Sequence, residues 1–506
     1  MANTSFREYT EQHGGRVIVL FLLFLLAMHL LTTSGLPAFA ALCLSPLLIF
    51  VVVFTFGRQM MVFWSLVVIN YIIMWKNVSL PIPTSIPNEM LELLLLVLAI
   101  LNIKESRFER AGNVMFLSLS IWCAFCTLEV LNDTCGIGID VAAWYAGARL
   151  MAFQLMYGFL VFTLYISNAK TLKNYLVLWA ILSLFAVIWV WKQKTFGFTE
   201  AENSWIQTRG RTTHIIAGGS LIRYFSIFND AASFGIGIAA SAVAFLIFGF
   251  TSRVKKFKYL FLAAGLGCSW AIFPSGTRTA IVCLMAGIIV YVFLSKSFKI
   301  AVPITIVFAL MAFLLIFTTV GDGNQQIRRM RSAFDKDDAS ANQRSINQEA
   351  MKKYMKEAPW GISLAVGYQN APANNKYTFM AKVPPDSEYV FIWIHTGVIG
   401  ITIFLITTLI MWAGACWIVL FRLKSPSLTG IGAGFCSAFV AMQLGGYGNQ
   451  VLMQFPNCLL FYGGLAIVYV LPYLEEEWIS FEEEQLAIEA EKQRIKEEKK
   501  RAKRLS

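Results

Sequence analysis

The sequence predicts an all-α, polytopic membrane protein, and three features support that fold class. Hydrophobic residues make up 57% of the 506 residues, and charged residues only 14%. The mean hydropathy of +0.62 lies well above that of a water-soluble globular domain. Apolar runs of about 17 to 25 residues recur along the chain, and each is long enough to cross a hydrocarbon core of about 30 Å as a helix.

We count about fourteen such runs. They lie at 17–33, 38–57, 59–75, 87–103, 112–131, 146–166, 174–191, 229–251, 258–273, 279–295, 300–319, 390–421, 428–446 and 455–473. This pattern predicts three regions. They are an N-terminal transmembrane bundle at 1–191, a second transmembrane region at 192–473, and a charged tail helix at 474–506.

Two polar loops interrupt the second region, at 192–228 and at 321–388. The later loop has about 65 residues, and loops of that length are usually functional or disordered. Its stretch 342–360 predicts a short amphipathic helix at the membrane surface, with Arg344 near the start. The later loop is therefore a candidate for part of a functional site.

Basic residues distinguish the two sides of the predicted bundle. One set of short loops carries Lys104, Arg107, Arg110, Lys170, Lys173, Arg253, Lys255, Lys256, Lys258, Lys296, Lys299, Arg422 and Lys424. By the positive-inside rule this side is cytoplasmic, so both termini are expected there and both large loops outside. The net charge of +12 partly reflects this topology, and we expect no nucleic-acid partner.

Four polar segments are expected outside at similar depth. They contain Arg223 before the run at 229–251, Arg278 in the turn after Pro274, Arg344, and Asp386 before the run at 390–421. Arginines suit a diphosphate because guanidinium makes bidentate hydrogen bonds to phosphate oxygens. A nearby carboxylate can take a proton from an attacking hydroxyl. Any one interfacial arginine can equally reach a lipid headgroup.

Signals for a cofactor are missing from the sequence. The nine cysteines are scattered without metal-ligand spacing, and no glycine-rich nucleotide motif is visible. We expect no metal and no cofactor. His395 lies in an apolar stretch and is expected to be a packed, hydrogen-bonded residue rather than a catalyst.

In order and sidedness, the polar segments resemble the O-antigen ligase and polysaccharide polymerase superfamily. The resemblance covers roughly 223 to 400. The matching pieces are Arg223 with Phe228-Asn-Asp230 and Phe234-Gly235, Ser275-Gly-Thr-Arg278, Arg344 with Pro359-Trp-Gly361, and Asp386-Ser-Glu-Tyr389 with Thr396-Gly397-Val-Ile-Gly400.

The resemblance implies a GT-C-like, metal-independent, inverting glycosyltransferase of the periplasmic face of the bacterial inner membrane. Its donor would be an undecaprenyl-diphosphate-linked glycan, and its acceptor a lipid A core or another lipid-linked glycan. Arg278 and Arg344 would hold the diphosphate, Arg223 would add charge, and Asp386 would deprotonate the acceptor hydroxyl. In ligases the Asp386 position is typically a histidine followed by asparagine, so Asp386-Ser387 favours a polymerase or another acceptor.

A lipid-linked oligosaccharide flippase is the alternative function. About fourteen spans and a basic cavity would suit such a transporter. A flippase also needs charges inside the bundle and two similar halves. The predicted spans have few charges at mid-depth, and no internal repeat is evident.

Overall fold

The computed structural model of the protein describes residues 14–33, 47–78, 83–216, 221–295, 298–320, 323–331, 339–367, 371, 375–382 and 386–505, and for some of these the backbone alone. By its internal contacts the chain forms two compact units, Met1–Val62 and Phe63–Ser506. The described elements are helices, apart from the antiparallel strands β1 (Ile215–Ile216) and β2 (Leu221–Ile222). The predicted all-α fold is confirmed.

Eighteen helices account for most of the described chain. In order they are α1 (Gly14–Thr33), α2 (Leu47–Thr55), α3 (Gln59–Ile72), α4 (Ser85–Leu101), α5 (Val114–Leu128), α6 (Val141–Tyr165), α7 (Ala169–Phe196), α8 (Glu200–Trp205), α9 (Ala231–Thr251), α10 (Lys255–Ser275), α11 (Arg278–Leu294), α12 (Phe298–Phe317), α13 (Gln325–Arg331), α14 (Ala339–Met355), α15 (Thr378–Lys382), α16 (Glu388–Trp417), α17 (Pro426–Gly448) and α18 (Asn457–Leu505). A π-helical turn and the short helix Arg211–His214 continue α8.

Each predicted span overlaps one of these helices, although 38–46 lies outside the described residues. Within the described chain, eight helices are long and apolar enough to cross a membrane: α5 with its extension, α6, α7, α9, α10, α16, α17 and α18. The broken pair α2 and α3 would add a ninth, and α11 is apolar but shorter. A multi-pass membrane protein is therefore confirmed, and the count of fourteen stays a prediction.

Helix α9 forms the centre of the second unit and is buried along nearly its whole length. Its glycines allow close helix contacts, because small residues let backbones approach each other. A Cβ on Gly237 would lie 2.2 Å from Asn457 Oδ1, and one on Gly249 would lie 2.7 Å from the Leu262 side chain. The small residues of α9 thus set its distance from α10 and from the start of α18.

Helices α4 and α6 share buried charges within the bundle. Arg149 Nη1 lies 2.6 Å from Glu89 Oε2, and Gln154 Nε2 donates to Glu92 Oε2 at 2.5 Å. Residues five apart lie on different faces of an α-helix, but the segment Arg149–Phe153 is π-helical and brings both donors toward α4. These charges are exceptions to the expectation of spans with little charge at mid-depth.

The later of the two polar loops, at 321–388, is called the late loop here, and it is anchored at a break in α16. Gly397 has φ +68° and ψ −170°, which interrupts the helical backbone. The carbonyl groups of Ile394 and His395 instead accept hydrogen bonds from the N–H groups of Ile362 (2.9 Å) and Ser363 (3.2 Å). Because unpaired backbone groups are costly within a membrane, the loop and the broken helix depend on each other.

The last predicted span and the charged tail form one continuous helix, α18. Three glutamates of α18 accept hydrogen bonds from backbone N–H groups where other helices begin. Glu475 binds two at the start of α17 (2.6 and 2.7 Å), Glu477 the first of α7 (3.1 Å), and Glu489 the first two of α10 (both 3.2 Å). A negative charge is favourable at a helix N-terminus, so α18 holds three helices at this end of the bundle.

We expect Gly397→Ala to destabilise the protein by about 1–3 kcal/mol, because only glycine adopts this backbone conformation without strain. A Cβ there would also lie 2.0 Å from Pro359 O. The measurement is the melting temperature in detergent. Gly267→Ala in α10 is the control, since its new methyl group would meet nothing closer than 3.5 Å. Equal melting temperatures for the two variants would contradict the role given to the break.

Candidate active site

A tight turn at Ser275–Thr277 joins α10 to α11 and rests on the first turn of α9. Gly276 has a left-handed φ of +58° and ends α10. A Cβ on Gly235 of α9 would lie 2.5 Å from Ser275 Oγ, so the turn needs glycine beneath it. Thr277 Oγ1 donates to Ala231 O at 2.6 Å. The turn is therefore fixed before any ligand arrives, and Arg278 follows directly.

Two further arginines bind this turn. Arg223 donates from Nε to Ser275 O (3.3 Å), from Nη1 to Thr213 O (3.1 Å) and from Nη2 to Thr277 Oγ1 (3.0 Å). Arg329 of α13 donates from Nε to Gly276 O at 2.7 Å. We call Ser275–Thr277 with Arg223, Arg278 and Arg329 the arginine turn.

The structure thus brings Arg223 and the start of α11, where Arg278 lies, to one place. Arg329, in the loop at 321–388, is not among the four residues predicted from the sequence. Two more positive charges in the same seven-residue helix, Arg328 and Arg331, were the available signal. Several guanidinium groups around one rigid turn suit an anion with several oxygens.

A polar cluster surrounds the start of α9. Asp230 caps this helix by accepting from the N–H groups of its second and third residues, both at 2.8 Å. Beside it, Lys76 Nζ donates to Asn229 Oδ1 (3.2 Å) and lies 4.3 Å from the centre of the Trp205 ring. Burial lowers the pKa of Lys76 to about 8. Asn229 also reaches Gln454 Oε1, at 3.5 Å.

His214 joins the loop at 192–228 to α9. Its Nε2 accepts from the backbone N–H of Ala231 at 3.1 Å, while Nδ1 lies 2.8 Å from Thr213 Oγ1 and 3.2 Å from Gly210 O. A histidine that accepts at Nε2 must be neutral there. Burial, with a smaller effect from the Arg223 charge, lowers the pKa of His214 to about 4. This residue therefore supports the site as a neutral acceptor.

The segment between α17 and α18, residues 449–456, connects the arginine turn to the start of α16, and we call it the bridging loop. Asn449 Nδ2 donates to Thr279 Oγ1 at 3.4 Å, next to Arg278. Three residues later, the N–H of Leu452 donates to Glu388 Oε2 at 2.9 Å. The arginine turn and the start of α16 therefore lie at the same end of the bundle.

The other two predicted residues, Asp386 and Arg344, are not part of the arginine turn. Asp386 precedes α16, is exposed, and has a left-handed φ of +49°. Arg344 lies in the first half of α14, where a surface helix was predicted, and its side chain is outside the described part of the structure. The roles of all four predicted residues remain predictions.

A cavity of about 780 Å³ lies beside the bridging loop. Its walls are residues of α6 (Ala143, Ala146, Gly147, Leu150, Met151), of the late loop (Leu364, Ala365, Val366, Gly367), of α16 (Glu388, Phe391, His395) and of the bridging loop (Gln450, Met453, Gln454). A Cβ on Gly147 would lie 2.3 Å from Leu364 O, so the late loop rests directly on α6. His395 is buried with Nδ1 3.1 Å from Ser363 O, which agrees with a packed, hydrogen-bonded residue.

Among the described residues, no three His, Cys, Asp or Glu side chains come together in a way that could hold a metal ion.

The stability of the loop at 192–228 should depend on pH through His214. An unfolded histidine titrates near pH 6.5, so between there and about pH 4 the unfolded chain binds a proton that the folded chain does not. The free energy of unfolding then falls as the pH drops, by about 2 kcal/mol at pH 5. We expect the melting temperature in detergent to fall more in the wild type between pH 7 and 5 than in His214→Gln, whose amide oxygen can still accept. Parallel falls in both proteins would exclude His214 as the cause.

Comparison with known proteins bears on the same residues. Residues 262–405 match the family model described as O-antigen ligase, and no curated protein matches the chain. The match includes Arg278, α14 and the start of α16, while Arg223 and the bridging loop lie outside it. It confirms the resemblance expected from the sequence. Residues 262–405 of this chain thus carry the sequence pattern of the O-antigen ligase family.

Proposed function

We propose that this protein is a glycosyltransferase that moves a glycan from undecaprenyl diphosphate to an acceptor hydroxyl. The observation that carries the proposal is the arginine turn, because Ser275–Thr277, Arg278 and Arg329 lie inside the region that matches the O-antigen ligase family, and Arg223 binds that turn. Arginines of the kind that suit a diphosphate and a match to the O-antigen ligase family thus occur in the same segment, which supports the proposal.

The arginines fit the donor's leaving group. When the bond between the anomeric carbon and the diphosphate oxygen breaks, the bonding electrons stay on the diphosphate. Fixed guanidinium groups stabilise that developing charge without reorganising. Arg223 is already oriented by its bonds to the turn, and Arg278 follows the turn directly. Arg344, proposed from the sequence, would approach from the late loop.

The acceptor oxygen forms the new bond to the anomeric carbon and loses its proton to a base. Attack from the face opposite the diphosphate inverts the configuration. Two carboxylates, Asp386 and Glu388, stand near the start of α16 at this end of the bundle. In this scheme the arginines supply the charge stabilisation that a metal ion supplies in other transferases.

The sidedness follows from charge. The basic loops before α7, α10 and α17 lie at the end opposite the arginine turn, and by the positive-inside rule that end faces the cytoplasm. The arginine turn would then face the periplasm of a bacterial inner membrane, with both termini inside. The transporter alternative gains nothing from the family match.

The acceptor separates two versions of this function. A ligase would use a lipid A core, and a polymerase another lipid-linked glycan. Asp386-Ser387, in place of the histidine-asparagine pair of ligases, favours the polymerase.

Replacing Arg278 should abolish transfer. We expect Arg278→Ala to lower activity by at least about 100-fold, the typical cost of losing one preorganised donor to a developing anion. Arg278→Lys should be nearly as poor, because an ammonium group lacks the planar fork of guanidinium. The measurement is surface polysaccharide on a gel, beside a deletion strain and with protein levels checked.

Arg107→Ala, an exposed arginine paired with Glu109, is the control and should behave as the wild type. Single repeats on the lipid core in the Arg278 variants would identify a polymerase. Long chains on the undecaprenyl carrier with a bare core would identify a ligase. Normal polysaccharide in Arg278→Ala would refute the assigned site, and full activity of Arg278→Lys would refute bidentate binding.

Transfer by the purified protein should also survive a chelator. Because arginines are proposed to balance the charge of the diphosphate, we expect less than a twofold change in rate on adding EDTA. The measurement is transfer from a synthetic polyprenyl-diphosphate glycan in detergent. Strong inhibition that a divalent ion reverses would overturn the metal-independent mechanism.

A further inference from the structure

Three residues of α16 face the cavity from one side of the helix. Glu388, Phe391 and His395 are three and four residues apart, so they form a single stripe. The bridging loop supplies the amide side chains of Gln450 and Gln454 to the cavity wall. A few polar groups converging in an otherwise apolar cavity of this size are typical of a small-molecule site.

Glu388 differs from Asp386 in where its carboxylate is held. The Glu388 side chain is buried at the first position of α16, and its Oε2 accepts from the N–H of Leu452 at 2.9 Å. The neighbouring N–H groups of Val451 and Met453 also interact with this carboxylate. Asp386, two residues earlier, is exposed. Of the two carboxylates Asp386 and Glu388, it is therefore Glu388 that is held in one orientation and lines the cavity.

The distance to the arginine turn is compatible with one reaction. Asn449 contacts Thr279 beside Arg278, and Leu452 contacts Glu388. The three-residue separation of Asn449 and Leu452 spans at most about 11 Å. One short segment therefore contacts both the arginine turn and Glu388, and other residues of the same segment line the cavity.

We propose that Glu388 is the general base of the transfer reaction and that the cavity binds the acceptor sugar. The inference rests on the proposed function and assigns the proton to Glu388 rather than to Asp386. The acceptor O–H gives its proton to the Glu388 carboxylate, and its oxygen forms the bond to the anomeric carbon. The bond from that carbon to the diphosphate breaks, and its electrons leave with the diphosphate at the arginine turn.

A purely structural role for Glu388 makes a different prediction. Its carboxylate also holds the bridging loop, so an alanine variant would fail under either interpretation. Glu388→Gln separates them, because the amide oxygen can still accept from Leu452 N–H but cannot take a proton. The titratable groups facing Glu388 are His395 and Tyr389 of α16, and Cys458 and Tyr462 of α18. All of these are retained in the variant.

The test uses the full-length protein in lipid nanodiscs with a synthetic polyprenyl-diphosphate glycan as the donor. Two acceptors are offered in parallel, a second molecule of that glycan and a lipid A core, so that either a polymerase or a ligase would react. We expect Glu388→Gln to lower kcat by about 100-fold or more, the usual range for a general base, with KM within about threefold and an unchanged melting temperature. The acidic limb of the pH–rate profile should persist in Asp386→Asn. Glu357→Gln, which removes an exposed carboxylate paired with Lys376, is the matched control and should retain full activity.

Each outcome decides between the interpretations. If the wild type is active and Glu388→Gln keeps more than half of its kcat, the role of Glu388 is refuted while the proposed function stands. Loss of the acidic limb in Asp386→Asn would have the same meaning. If Glu388→Gln lowers the melting temperature, Glu388→Asp is measured beside it at a temperature at which both variants are folded. Activity of Glu388→Asp at least about tenfold above that of Glu388→Gln supports the base, because only the carboxylate can take a proton, and equal activities refute it. A wild type that transfers no glycan overturns the proposed function and this inference together.

Discussion

Backbone N–H and C=O groups that are unpaired at the ends and breaks of helices must find hydrogen-bond partners within this bundle. The residues that supply these partners also build the candidate site. Asp230 caps α9, and Thr277 donates to the carbonyl of its first residue. Glu388 accepts from the bridging loop, and the late loop donates to the carbonyls freed at Gly397. Since an unsatisfied group costs several kcal/mol away from water, these contacts leave the site little freedom to relax.

The same contacts make the polar residues serve two purposes. Arg223 donates from all three of its guanidinium nitrogens, two to the turn and one to the Thr213 carbonyl. A ligand bound there would meet an arginine whose orientation is already fixed, which avoids an entropic cost on binding. As a consequence, a substitution at a position such as Arg223 changes both the packing of the turn and the chemistry of the site.

Much of the architecture follows from the sequence, because apolar length alone specifies a membrane helix. Arg223 and Arg278 could be placed on one side by counting spans, and the glycine at 397 was visible as part of a motif. Other features depend on contacts between distant segments. The cavity position of Glu388 requires the bridging loop, more than 60 residues later, and the role of Arg329 requires α13 to dock on the turn. Periodicity within one segment carries no information about such partners.

The three glutamates of α18 also bear on the order in which the protein is made. The helices at whose starts they accept from N–H groups, α7, α10 and α17, all precede α18 in the chain. During synthesis these helix starts must first be hydrated, and they exchange water for carboxylates only when the last segment leaves the ribosome. The end of the bundle at which α7, α10 and α17 begin is therefore completed last, and a chain that stops before Glu475 inserts its membrane helices without the element that joins them.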